Sequence, residues 1–192
     1  MPPSLPEGRL EPTDRRTVTD VVPIMRHLLI IVLASSSLAP AWAVDEPGGC
    51  DKFKWSIDRE RAVLTSPDQS RLSSGDELTG LPEKGVTLDL RIPGEAGLPV
   101  APERAPKEGT FAGFAVFKTA PKVGTYAISL SAAGWVDVVQ NGQTLKPRAF
   151  SGATDCDGIR KTIKYEIGAN PFVLQISGTK NHSISFAILP SD

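Results

Sequence analysis

Histidine is scarce in this chain of 192 residues: it occurs twice, as His27 and His182. His27 sits in an apolar leader-like stretch, which leaves His182 alone. A non-haem ferrous site takes two histidines and a carboxylate, and a hydrolytic triad needs a histidine base beside its nucleophile. Neither can be built around His182, which reads as an exposed turn residue between Asn181 and Ser183. No Gly-x-Ser-x-Gly elbow surrounds Ser151 or Ser177. Paired carboxylates are the catalytic arrangement that spacing leaves open, because two acids need only meet in space. Asp137 is the acid to watch, and its ordinary role would be a solvated residue on a sheet face.

Binding chemistry has more to work with. In Trp135-Val136-Asp137-Val138 the alternation puts Val136 and Val138 toward a core. Trp135 and Asp137 then face solvent or a groove. An indole beside a carboxylate is a pairing that suits a sugar, stacking on the ring and bonding its hydroxyls. The alternatives for Trp135 are to cover the core edge or to pack under a Pro-rich loop, and Trp55 reads as a core anchor. Cys50 and Cys156 are an even pair, and in an exported chain that implies one disulfide. Two cysteines and one remaining histidine fall short of a structural zinc set. Asp155-Cys156-Asp157-Gly158 offers oxygen donors for calcium but lacks the regular Asp-x-Asp-x-Asp array. No metal and no cofactor is expected. Arg160, Lys161 and Lys164 read as a solvated strand edge that discourages pairing with other chains.

The elements that must position these residues are mostly strands. Asp51 to Leu64 is the helix candidate, with Trp55 and Ala62, and Ile57 and Leu64, seven apart so that each pair shares a face. Ser66 to Lys84 is rich in turn residues. From Val86 the period becomes two: Val86, Leu88, Leu90 and Ile92 alternate with Thr87, Asp89 and Arg91. Pro93 to Lys107 is a long Pro/Gly loop of the kind that is either functional or mobile. Thr110 to Lys118 is apolar enough for a strand buried on both faces. Thr125 to Ser131 and Trp135 to Gln140 alternate clearly, and Asn141-Gly142 predicts a type I′ hairpin, whose two central residues both need positive φ. Thr144 to Phe150 is the return strand, demoted by Pro147 to an edge or a bulge. Three further alternating runs lie at Ile159–Ile167, Phe172–Ser177 and Ile184–Ile188. About eight strands at this spacing predict an all-β antiparallel sandwich of jelly-roll type with one short N-terminal helix.

The N-terminal region reads as targeting rather than fold. Met25-Arg26-His27, the apolar run Leu28 to Leu33 and Ala41-Trp42-Ala43 have the order of a secretory signal peptide, Met25 to Ala43. The run is shorter than the about 20 apolar residues a membrane span needs. Residues 1–24 read as a mis-assigned or disordered extension, and residues 44–192 as a single domain with a real core. Four basic and four acidic residues precede Val44, so the formal charge of −1 is unchanged by cleavage. A near-neutral domain without a basic stripe has no footprint for nucleic acid, and no transmembrane segment is expected after the leader.

Gly124–Gln143 (GTYAISLSAAGWVDVVQNGQ) and Asp155–Gly178 (DCDGIRKTIKYEIGANPFVLQISG), with DKFKW at Asp51–Trp55, resemble a group of small exported bacterial proteins that often carry the label homogentisate 1,2-dioxygenase. That label implies ferrous iron, for which the histidine count is too low. The motifs GTY-x-I-x-L and PF-x-LQ-I-x-G also resemble jelly-roll modules of the pre-peptidase C-terminal and carbohydrate-binding types. Together these readings predict a periplasmic or secreted, non-catalytic accessory module, with Trp135 and Asp137 lining its site and a cell-envelope glycan as ligand. The alternatives are a dioxygenase-like enzyme and a structural protein that binds envelope proteins.

Overall fold

Alternating apolar residues on facing strands can leave water only by packing two sheets together, and this chain does so. The computed structural model describes residues 48–119 and 121–191. The signal-peptide candidate and the segment before it lie outside the described residues.

The first sheet has six strands. In spatial order they are β1 (Ser70–Leu72), β3 (Val86–Asp89), β11 (Ser183–Pro190), β5 (Gly124–Leu130), β9 (Lys161–Ile167) and β8 (Ala149–Gly152). The second has five: β2 (Glu77–Leu78), β4 (Phe111–Phe117), β10 (Phe172–Thr179), β6 (Trp135–Gln140) and β7 (Gln143–Thr144). The fold is therefore the expected two-sheet β-sandwich. The longer strands pair antiparallel, whereas the short edge strands β1 and β2 pair parallel with β3 and β4.

Register carries the apolar stripe of each strand to one side. Phe186 faces Leu130, Ile188 faces Ile128, and Ile128 faces Ile163 across the first sheet. Leu174 faces Ala115 and Val138, and Ile176 faces Val136, across the second. All of these are buried. Phe117 and Phe172 stack with ring centroids 4.4 Å apart, and truncating such a ring to Ala costs about 3–5 kcal/mol. Buried polar ends are paired, as an interior requires. The Tyr165 hydroxyl donates to the Val136 carbonyl at 2.8 Å, tying the first sheet to β6. The Gln140 amide clamps the β9–β10 turn, accepting from the Gly168 N–H and donating to the Gly168 and Asn170 carbonyls.

The Asn-Gly hairpin forms as expected, with φ of 54° at Asn141 and 74° at Gly142, and Gln143 returns opposite Gln140. The return strand is not continuous. β7 ends after Thr144, Pro147 falls in the break, and β8 starts at Ala149 in the other sheet. A residue without an N–H marks the place where the chain changes sheets.

The helix is shorter than expected. Cys50–Lys52 makes one 3₁₀ turn and α1 runs from Asp58 to Leu64. Two ties hold the intervening chain out of the helix: the Cys50–Cys156 disulfide and the Lys54 N–H bond to Ser151 Oγ at 2.8 Å. Ile57 and Leu64 share the buried face as predicted, while Ala62 is exposed. With Cys156, Ile159 and Ala187 they form a second apolar cluster on the outer face of the six-stranded sheet. Trp55 packs at its margin, with the Lys164 ammonium 4.9 Å from its ring.

Candidate functional site

β6 places its residues as the alternation dictates, yet its outer face is not open. Val136 and Val138 enter the core, and Asp137 on the opposite face is only 1% exposed. The expectation that Asp137 meets solvent or a ligand is thus corrected. Its cover is the Pro/Gly segment 97–107, which crosses the outer face of the five-stranded sheet as a strap. Gln175, fully buried at the centre of that face, holds the strap as a peptide group would. Its Oε1 accepts from the Val100 N–H at 2.9 Å and its Nε2 donates to the Val100 carbonyl at 3.0 Å. Farther along, the Arg104 guanidinium lies 5.4 Å from the centre of the Trp135 ring.

Under the strap the Trp135 indole N–H donates to Asp137 Oδ1 at 3.0 Å, while Oδ2 has no hydrogen-bond partner. Burial pushes the Asp137 carboxyl above its usual range. The Trp135 bond opposes that shift, and the neighbouring Glu103 charge adds to it. Burial also raises the Tyr165 phenol, and the charges of Asp137 and Glu103 act in the same direction. The carboxylate expected to bond sugar hydroxyls is instead turned to the indole. Trp135 and Asp137 do come together, as a hydrogen-bonded pair rather than as two ligand contacts.

Trp135 itself is half-buried and walls a groove of about 520 Å³. Five cations line it: Arg104 and Lys107 from the strap, Arg160 and Lys161 from the start of β9, and Lys180 from the β10–β11 turn. No acid is on the lining. Phe150, 62% exposed, stands at the same groove, and Ser177 presents a buried hydroxyl without a hydrogen-bond partner. The expectation of a solvated cationic edge is corrected here as well. β9 lies between β5 and β8, Lys161 and Lys164 are only partly exposed, and the Lys161 ammonium donates to the Gly134 carbonyl at 2.9 Å. Burial lowers the Lys161 pKa, and the nearby Arg160 and Arg104 charges lower it further.

The cations of the groove were not recognisable as a set, since they come from three places far apart in sequence. The one local signal was the length of the Pro93 to Lys107 loop. The iron implied by the dioxygenase label does not fit the donors. Among the described residues no three His, Cys, Asp or Glu side chains are grouped to hold a metal. The His182 ring lies against Phe111, with centroids 4.1 Å apart. Also among the described residues, no helix is long and apolar enough to cross a membrane. Comparison of the chain with protein-family models, with curated proteins and with solved structures gives no match.

Proposed function

We propose that this protein is an exported, non-catalytic binding module that takes a cell-envelope saccharide in the groove beside Trp135. The observation that carries this reading is the groove itself. It has the volume of a small-ligand pocket, which is about 300–1,000 Å³, and an aromatic wall set on a rigid strand. The Cys50–Cys156 disulfide supports an oxidising compartment, and the leader at Met25 to Ala43 gives a route to one. The jelly-roll likeness of the Gly124–Leu130 and Pro171–Gly178 motifs adds to the saccharide reading.

Co-sedimentation of the oxidised protein with cell-wall sacculi and a panel of insoluble polysaccharides tests it. Binding that Trp135→Ala abolishes, with the fold retained by circular dichroism, is the expected result. Binding that survives the substitution would move the site elsewhere. Failure to bind any saccharide would leave protein partners, to be sought by crosslinking in cells.

A further inference from the structure

We propose that the ligand of this groove is an acidic saccharide, whose carboxylate is received by Arg104, Lys107, Lys161 and Lys180 beside Trp135. This assignment rests on the saccharide reading above and narrows it.

Composition does not explain the cations. The chain carries 21 basic and 22 acidic residues, yet the groove lining collects five of the former and none of the latter. Asp137, the nearest acid on β6, is bonded to the indole N–H and lies off the lining. Like charges gathered this way repel, and the lowered pKa of Lys161 is a symptom of that crowding as well as of burial. An anion in the groove would relieve it.

Two cations already occupy the indole. The Arg104 guanidinium and the Lys161 ammonium lie 5.4 and 5.5 Å from the ring centre. A neutral sugar stacking on the ring would gain nothing from either charge. An acidic sugar can recruit both, exchanging weak cation–π contacts for charge-assisted hydrogen bonds. The Ser177 hydroxyl is an independent pointer: it is 1% exposed, lines the groove and has no partner. Buried hydroxyls are ordinarily satisfied, and a ligand oxygen would satisfy this one. The groove's volume suits a few sugar units rather than a duplex or an extended polymer track.

Calorimetric titration of the oxidised protein provides the test. The probes are trigalacturonate, its fully methyl-esterified form, N-acetylmuramic acid and a short thymidine oligonucleotide. The first two share a backbone and differ in charge, and the third carries its carboxylate on a lactyl ether. The expected result is that one or both carboxylate sugars bind. The methyl ester should bind at least about tenfold more weakly than trigalacturonate, a loss of about 1.4 kcal/mol. Affinity should fall between about 50 and 300 mM salt as screening shortens the reach of the cations. Arg104→Gln with Lys180→Gln should weaken binding by about tenfold or more at unchanged melting temperature. Ser177→Ala should weaken it a few-fold. Equal affinity for the acid and its ester would overturn the acidic assignment and leave the saccharide reading standing. Binding of the oligonucleotide alone would replace both with a single-strand site, and silence from every probe would sink both.

Discussion

The two sheets each bury part of their outer face, and they do so by opposite means. Over the six-stranded sheet the cover is apolar and covalently held: α1, the Cys50–Cys156 bridge, and the cluster of Ile57, Leu64, Ile159 and Ala187. Over the five-stranded sheet the cover is a strap that meets the sheet through directional polar contacts, Gln175 to Val100 above all. Apolar burial is non-directional and leaves no polar group unsatisfied if a neighbour shifts slightly. A polar cover is right only in one geometry, and each partner that leaves exposes an unsatisfied group. The groove lies on the polar side. A ligand there would find hydroxyl, ammonium and guanidinium groups held in place, whereas on the other sheet the contact between helix and strands is filled by apolar side chains.

Four experiments would break or sharpen that contrast. The largest effect is expected on the covalent side. Replacing Cys50 and Cys156 together by Ala opens a loop of 106 residues and should cost about 4 kcal/mol by urea unfolding, with the proposed saccharide binding in the groove retained. A loss that reached both covers equally would show them to be one cooperative unit. Next is Gln175→Leu, which leaves the Val100 N–H and carbonyl without partners and should cost about 2–3 kcal/mol. Limited proteolysis should then cut within residues 97–107 of the variant and spare the wild type. Trp135→Phe keeps a ring but removes the donor to Asp137, for about 1–2 kcal/mol at neutral pH. That loss should shrink in acid, where the carboxyl is protonated.

The smallest effect is a pH slope. The folded Asp137 carboxyl titrates above its unfolded counterpart. Below the ordinary carboxylate range both states hold the proton and no penalty exists. As pH rises above about 4 the unfolded chain ionises first, and stability falls until the folded carboxyl has ionised too. Asp137→Asn should flatten this part of the curve, measured as melting temperature between about pH 4 and 7. An unchanged slope would mean that the strap leaves Asp137 well solvated.

The strands were legible in the sequence because one-sided burial writes a period of two. Thr125–Ser131, Trp135–Gln140 and Phe172–Ser177 fall within a residue or two of the observed β5, β6 and β10. Asn141-Gly142 was legible because its turn chemistry is local. The side of β6 was read correctly, but its surroundings were not. Whether Asp137 meets water depends on a segment some 35 positions earlier, and no local pattern says where a Pro/Gly loop will lie. Arg160 and Lys161 misled for the same reason. Their neighbours Arg104 and Lys180 arrive only through topology, so a charge pair at a strand start reads as an edge. The helix failed at its beginning, because the disulfide and the Ser151 bond outweigh the weak helical preference of Asp51 to Ser56.

Synthesis order gives the disulfide a further meaning. Cys50 is made 106 residues before Cys156, and at ribosomal speed that interval is about 5–20 s. Throughout it the earlier thiol has no partner within its own chain. Eight of the eleven strands lie between the two cysteines, but β9, β10 and β11, which complete the centre of both sheets, are still to come when Cys156 appears. The order in which the halves of this bond emerge therefore leaves the first cysteine open to a passing thiol or disulfide until β1 to β8 have been made.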